Sequence, residues 1–290
     1  MEKVKKGRPF GFYVCALGFT FERLAFYTMK YLLAIWIATE VASGGLGLSD
    51  IEASAMSGSF VAWTYITPLF GGYIADHWIS PRICVPLGMI LMGLGYLCTW
   101  RADSLTLVWA MIILVAVGTG LFKGNLSGIN GLLFHDADEL DAAFSIQYSF
   151  VNIGSFIGTT FIAILATTGL FGFKTSFNTV FLICGIFMFI DAVWFILNGR
   201  SLGDAGKKPF KADQREFETV SKKKDGDTKL TSGDIKRIVA IILVTLFSSV
   251  FWMVYGLYAG LLPFWLGKRQ RLYESCQLVY RKFPDSNFLV

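Results

Sequence analysis

The sequence predicts an all-α protein that crosses a membrane several times. Of its 290 residues, 54% are hydrophobic and only 16% are charged, whereas about 25% of the residues in a soluble domain are typically charged. The apolar residues form seven long runs, and about 20 such residues suffice for a helix to cross the hydrocarbon core of a bilayer. Basic residues cluster between the runs, so the net charge of +5 indicates the basic loops of a membrane protein and not nucleic-acid binding.

Each apolar run predicts one helix. The first run covers residues 10–37, and the second covers 51–75. Ser49 and Glu52 at the start of the second run have the spacing of a capping box, in which both side chains pair with free backbone N–H groups. The remaining runs cover 83–100, 105–126 with an alternative end at 133, 143–170, 180–197 and 238–262. We therefore expect a six-helix bundle over residues 1–198 and a seventh transmembrane helix over 238–262.

The segments outside the runs are polar and basic. Residues 199–237 are rich in lysine and lack the apolar residues that a core requires, so they are predicted to be a solvated linker. Because basic loops stay in the cytoplasm, the lysines of this linker and of the N-terminus predict that both lie on the cytoplasmic side. The tail, 263–290, is also basic although the alternation of spans would place it outside. We expect it to be an atypical tail that results from truncation.

Charged residues inside the apolar runs are the strongest indication of function. Glu22, Arg23 and Lys30 lie in the first run, and such groups persist in a membrane when they pair or line a polar cavity. Arg23, Tyr27 and Lys30 share one stripe of a helix, where two cations and a phenol suit a carboxylate ligand. The alternative is a structural ion pair between helices. Lys123, in the fourth run, is a further cation, and its alternative is to extend to the membrane interface.

Few side chains offer other chemistry. The five cysteines are scattered without a CxxC spacing and only two histidines are present, so neither a disulfide framework nor a metal site is predicted. No pairing of a nucleophile with a base and no phosphate-binding loop stands out in the sequence. We therefore expect neither an enzyme nor a bound cofactor.

Four segments, in this order along the chain, resemble the signature motifs of one family. They are ERLAFY at 22–27, PLFGGYIAD at 68–76 with Tyr65 before it, GTGLFKGN at 118–125, and FSIQY with NIGS at 144–148 and 152–155. The family is the proton-dependent oligopeptide transporters, a branch of the major facilitator superfamily, whose motifs read ExxERFxYY, GTGLFKPN and FSIFYxxINxGS. The resemblance covers about residues 10–258. It implies two six-helix bundles with the substrate between them, of which residues 1–198 would be the N-terminal one.

The resemblance implies symport of di- and tripeptides with protons across the plasma membrane. It assigns roles to three groups of residues. Proton coupling is assigned to Glu22, Arg23 and Lys123; peptide binding to Tyr27, Lys30, Tyr65 and Asn152; and a gating or structural motif to Gly71, Gly72 and Asp76. The implied partners are peptides, protons, the lipid bilayer and a missing C-terminal half.

Some positions depart from the family pattern. Phe19 stands where the family carries a first glutamate, which places proton coupling in its usual form in question. Lys30 replaces an arginine and attracts a carboxylate only as a point charge. With one carboxylate against three cations, the cavity would also suit another small anionic solute. Two alternatives therefore remain: a transporter of such a solute in the same family, and a truncated membrane protein that does not transport, since one bundle alone should not.

Overall fold

The structure is a computed structural model that describes residues 8–134, 137–167, 169, 175–211, 235–236, 238–251 and 253–254. All regular secondary structure within these ranges is helical, which confirms the predicted all-α class. The chain divides into two units, Met1–Val220 and Ser221–Val290, and each is described by itself.

The first unit contains a helix for each of the six predicted runs. In chain order they are α1 (Phe10–Ala38), α2 (Asp50–His77), α3 (Pro81–Trp100), α4 (Leu105–Gly131), α5 (Ala137–Phe156), a π-helical stretch (Ile157–Ile162) that leads directly into α6 (Ala163–Thr167), and α7 (Phe177–Leu197). Short 3₁₀ turns lie at Val41–Ser43 and Gly199–Leu202. The fifth run is thus a continuous helix whose hydrogen bonding widens at 157–162, a distortion that is frequent at functional sites.

The predicted capping box at the start of α2 is confirmed. The side-chain oxygen of Ser49 accepts a hydrogen bond from the backbone N–H of Glu52, and the Glu52 carboxylate accepts one from the backbone N–H of Ser49. Both otherwise unpaired donors of the first turn are therefore satisfied. At the start of α3, Pro81 occupies the first turn, where its missing N–H removes no helical hydrogen bond.

Four of the described helical segments combine the length and the mean hydropathy of membrane spans: Pro81–Trp100, Leu105–Gly131, Asp138–Ala166 and Phe177–Leu197. The helices α1 and α2, with 29 and 28 residues, are also long enough, since a helix rises about 1.5 Å per residue and the hydrocarbon core is about 30 Å thick. These two helices are not among the four most apolar segments. Three charged residues, Glu22, Arg23 and Lys30, lie within α1.

Glycines allow the helices of the bundle to approach closely. A Cβ atom at Gly88 in α3 would lie 2.5 Å from the carbonyl oxygen of Gly118 in α4, and a Cβ at Gly118 would lie 2.6 Å from the carbonyl oxygen of Gly88. A Cβ at Gly120 would lie 2.7 Å from the carbonyl oxygen of Thr67 in α2. Small residues at such crossings let the backbones touch where lipid supplies no hydrophobic drive. The motif at 118–125 therefore holds α4 against both α2 and α3.

The start of the predicted linker packs against the bundle. Leu202 is only 1% exposed, and Arg82 at the start of α3 donates hydrogen bonds to the carbonyl oxygens of Ala205 (2.8 Å) and Gly203 (2.5 Å). The first residues of the predicted linker are therefore not fully solvated, because the Leu202 side chain is buried and the Arg82 guanidinium binds the backbone there. Asp204 and Lys207, in the same segment, are exposed. The hydrogen bond that Lys207 donates to Asp204 lowers the pKa of the Asp204 carboxyl.

The second unit contains an apolar helix, α8 (Ile238–Phe251). It lies within the predicted seventh span, 238–262. Residues 252 and 255–262 of that span, the linker residues 212–234 and the tail 263–290 lie outside the described residues. The domain boundaries at 198, 237 and 262 therefore remain predictions.

Candidate transport site

A buried ion pair occupies the middle of α1. Glu22 is 1% exposed and Arg23 is 7% exposed. The guanidinium donates two hydrogen bonds to the carboxylate, from Nε to Oε2 and from Nη2 to Oε1, the second 2.5 Å long. Adjacent residues point about 100° apart on a helix, yet these long side chains bend towards each other and form a planar fork. Such a fork is the strongest geometry for an arginine–carboxylate pair.

Aromatic rings surround the guanidinium. The central carbon of the Arg23 guanidinium lies 4.7 Å from the centroid of the Phe26 ring and 5.8 Å from that of Tyr27. Lys30 approaches the same tyrosine, with its Nζ 5.7 Å from the ring centroid. The faces of aromatic rings attract cations, so Tyr27 stabilises two positive charges, each about one turn away from it along α1. The three residues predicted to share a stripe are therefore adjacent in space.

Lys123 joins this group from α4. Its Nζ lies 4.9 Å from the centroid of the Tyr65 ring in α2, and the side chain is half-buried. It interacts electrostatically with both Arg23 and Glu22, and Tyr65 also interacts with Arg23. The lysine thus contacts a neighbouring helix within the bundle. Glu22, Arg23, Lys123 and Tyr65 form one electrostatic cluster across α1, α2 and α4.

Phe19 occupies an apolar contact beside this cluster. The residue is 4% exposed, and its ring meets that of Phe122 edge-on with the centroids 5.6 Å apart. Phe122 directly precedes Lys123 in the sequence. At the position where the resemblance implies a carboxylate, the structure therefore has an aromatic contact between α1 and α4.

The motif residues of α2 have different surroundings. Gly71 is buried, and its carbonyl oxygen accepts a hydrogen bond from Asn125 Nδ2 at 3.4 Å, while the same amide donates to the carbonyl of Leu121 at 2.8 Å. Gly72 and Asp76 are half-buried. Nothing lies within 4 Å of the position that a Cβ of Gly72 would occupy. Gly71 therefore serves helix packing, and Gly72 faces open space.

Asn152 lies apart from these contacts. It is exposed on α5, and its side chain has no hydrogen-bond partner within the described ranges. Lys30 and Tyr27 are half-buried, and Tyr65 is 56% exposed. The structure thus leaves part of each predicted peptide-binding side chain accessible, whereas Glu22 and Arg23 are buried.

Two further polar features were not singled out by the motifs. Asn130 in α4 donates a hydrogen bond of 2.5 Å to Gln147 in α5, and both side chains are buried. Asp191 in α7 is fully buried, and neither of its carboxylate oxygens has a partner among the described residues. The rule that draws attention to Glu22 also applies to Asp191, since it is an ionisable residue within an apolar run.

Comparison with known proteins identifies the family. Residues 15–278 match the sequence profile of the Major Facilitator Superfamily. The chain is 30% identical over 207 residues to dipeptide and tripeptide permease A of Cronobacter turicensis. The aligned region covers 70% of this chain and 39% of the permease. It is 35% identical over 154 residues to the peptide transporter YePEPT of Yersinia enterocolitica. That aligned region covers 52% of this chain and 30% of the transporter.

Solved structures agree with these sequences. The fold is similar to a crystal structure of the peptide transporter POT in complex with sulfate, at 26% identity and a TM-score of 0.66, over 90% of this chain and 48% of that one. A POT family transporter in complex with 5-aminolevulinic acid matches at 27% identity and a TM-score of 0.64, over 86% of this chain and 48% of that one. The chain spans less than half the length of each of these four relatives. From the profile, the shared motifs and the shared fold, the chain is a membrane protein of the major facilitator superfamily, and within that superfamily it is similar to POT family peptide transporters.

Proposed function

We propose that this chain forms the N-terminal bundle of a proton-coupled symporter of di- and tripeptides. It acts in the plasma membrane with its N-terminus in the cytoplasm. The observation that carries the proposal is the buried fork between Glu22 and Arg23, with Lys123 within electrostatic reach. A carboxylate paired with a guanidinium at membrane depth is a two-state element, because one proton decides whether the pair is held together.

Proton binding changes the charge available to the substrate. While Glu22 is ionised, its carboxylate holds Arg23. When a proton from water adds to a carboxylate oxygen of Glu22, the acid becomes neutral and the guanidinium loses its anionic partner. Arg23 is then free to attract the carboxylate of a peptide, with Lys123 nearby. Loss of that proton to the other side restores the fork and weakens peptide binding. Proton and peptide therefore move together.

The four accessible residues that are predicted to bind peptide suit its carboxyl end. Lys30 offers an ammonium as a point charge, and the hydroxyls of Tyr27 and Tyr65 offer hydrogen bonds. Asn152 adds an amide on α5. The printed names of the relatives describe peptide permeases and transporters, which supports a peptide as the substrate of this chain.

We further propose that transport requires a second bundle. In this superfamily the substrate lies between two six-helix halves that rock about it, and the described residues contain one such half. Gly71, Gly72 and Asp76 on α2 act in gating, because Gly71 fixes the contact of α2 with α4 while Gly72 leaves room for movement.

A second candidate is the transport of another small anionic solute. The cations Arg23, Lys30 and Lys123 outnumber the one carboxylate, Glu22, among the residues predicted to couple protons or bind peptide. Phe19 adds an aromatic contact in place of a further acid. One relative was solved in complex with 5-aminolevulinic acid. This ligand has an amine and a carboxylate and is smaller than a dipeptide. Competition experiments separate this candidate from peptide transport.

The test is uptake into proteoliposomes. The 290-residue chain is reconstituted together with the C-terminal bundle of the Yersinia transporter, and labelled dialanine is supplied under an inward proton gradient. We expect accumulation that collapses when the gradient is dissipated, with no accumulation by the 290-residue chain alone. Competition by dipeptides but not by 5-aminolevulinic acid would favour peptides. Uptake that does not depend on the proton gradient would overturn proton coupling. The absence of uptake would favour a membrane protein that does not transport.

A further inference from the structure

Asp191 is a buried acid that the ion pair of α1 does not use. It lies in α7, is fully buried, and has no hydrogen-bond partner for either carboxylate oxygen among the described residues. The side chain points at α1, because a Cβ atom at Gly18 would lie 3.6 Å from Asp191 Oδ1. The glycine leaves space for the carboxyl, and Gly18 is one turn before Glu22 on the same helix.

The surroundings of Asp191 contain little that would stabilise a negative charge. Leu126 of α4 and Met89 of α3 line the space at Gly18 with apolar atoms. The titratable groups that interact with Asp191, within the described ranges, are Glu22 and Cys15 of α1. Neither is a cation. A carboxylate enclosed in this way is more costly than a neutral acid, so such a group keeps its proton.

The other elements that pack against α7 do not change this picture. Arg82, at the start of α3, interacts with Cys15 and Asp204 and holds two carbonyl oxygens after α7. The 3₁₀ turn that follows α7 carries Arg200, which is exposed. The short helix α6 has no titratable residue. The charge that acts on Asp191 among these residues is therefore the negative charge of Glu22, which further opposes its ionisation.

We propose that Asp191 is a second proton-binding carboxyl of the bundle and that it exchanges its proton with Glu22. Glu22 is the acid that pairs with Arg23, and Asp191 is the neutral acid that interacts with Glu22. In the exchange, the O–H bond of Asp191 breaks and an O–H bond forms on Glu22. Asp191 becomes the carboxylate, and Glu22 becomes neutral and releases the guanidinium. The number of protons and the net charge are unchanged.

This inference rests on the proposed function, since it supplies the proton that frees Arg23 from Glu22. It also bears on Phe19. The resemblance implies a second carboxyl on α1 at that position, whereas the structure brings one from α7 to the adjacent residue, Gly18. Two titratable groups that interact strongly release their protons as a pair, which is a sufficient basis for a proton store within this bundle alone.

Infrared difference spectroscopy tests the proposal without any transport. The purified 290-residue chain is placed in lipid nanodiscs, and spectra are recorded while the pH is stepped. We expect the carbonyl band of a protonated carboxyl at neutral pH, and loss of that band in the Asp191→Asn variant. Asp103→Asn, which alters an exposed acid, is the matched control and should retain the band. Retention of the full band by Asp191→Asn would overturn the proposal.

The exchange has its own test in Glu22→Gln. Glu22→Gln removes the negative charge that opposes ionisation of Asp191, so the band of the neutral acid should weaken at neutral pH. An unchanged band in Glu22→Gln would overturn the exchange. If Asp191→Asn fails to fold, as judged by size-exclusion chromatography, Asp191→Glu keeps the acid and should shift the band frequency. An unshifted band there would also overturn the assignment.

The outcome is separable from that of the uptake experiment. Absence of proton-driven uptake together with a band that depends on Asp191 would refute the proposed function and leave the proton-binding site in place. Proton-driven uptake without that band would refute only the role of Asp191.

Discussion

Lys123 of α4 lies against the ring of Tyr65 in α2, with its Nζ 4.9 Å from the ring centroid. The two residues come from different motifs of the sequence and are 58 positions apart by their numbers. Their contact connects the charged residues of α1 and α4 to the helix that carries the proposed gating motif. A change in the charge near Lys123 therefore reaches α2 directly.

Substitution of Tyr65 separates the ring from the hydroxyl. Tyr65→Phe keeps the aromatic face and should retain the stability of the bundle, whereas Tyr65→Leu removes the attraction for Lys123 and should destabilise it by about 1 kcal/mol. Thermal unfolding of the purified chain in detergent measures the difference. Equal unfolding curves for the two variants would show that the contact contributes nothing to stability.

The Glu22–Arg23 pair should behave as a unit in a double-mutant cycle. Either Glu22→Gln or Arg23→Gln leaves one buried charge without its partner, and we expect each to cost about 3–5 kcal/mol in free energy of unfolding. The double variant leaves no isolated charge and should be less destabilised than the sum of the single variants. Denaturant unfolding in mixed micelles gives the three values, and additive losses would show that the two side chains act independently.

Phe19→Glu tests whether proton coupling depends on a carboxylate at position 19. In a complex with a second bundle, an acid one turn from Arg23 should strengthen the dependence of uptake on the proton gradient, because a carboxylate near a cation exchanges protons at a pH set by that charge. The variant also loses the contact with Phe122, so stability should fall. Phe19→Leu is the control for that loss. Proton dependence that is already complete and unchanged in Phe19→Glu would contradict the expectation.

Gly88→Ala should loosen the crossing of α3 and α4. The added methyl group would lie 2.5 Å from the carbonyl oxygen of Gly118, so the helices must separate, at a cost of about 1–3 kcal/mol. Gly58→Ala adds the same group in α2 where nothing lies within 4 Å and should not destabilise the bundle. The thermal midpoints of the two variants give the comparison, and equal midpoints would refute a tight crossing.

Hydrophobic runs were enough to predict the helices of the first unit. A run of about 20 apolar residues has one stable solution in a bilayer, because a helix satisfies every backbone hydrogen bond internally. For the same reason the ends of α3 and α7 fall within three residues of the predicted runs. The capping box could also be predicted, because its two residues, Ser49 and Glu52, lie on one turn and need no distant contact. The stripe of Arg23, Tyr27 and Lys30 followed from helix periodicity alone.

The tertiary structure decided the contacts between residues that are distant in sequence. No pattern along the chain relates Lys123 to Tyr65, or Phe19 to Phe122, because such contacts depend on how the helices cross. The same applies to Asp191, whose isolation results from the apolar side chains that α3 and α4 place around it. The sequence by itself determined that the chain is helical, membrane-embedded and charged within its first span. Only the packing of the helices decided which charges are paired, which rings they contact, and which acid is left without a partner, because burial and distance arise between elements and not within them.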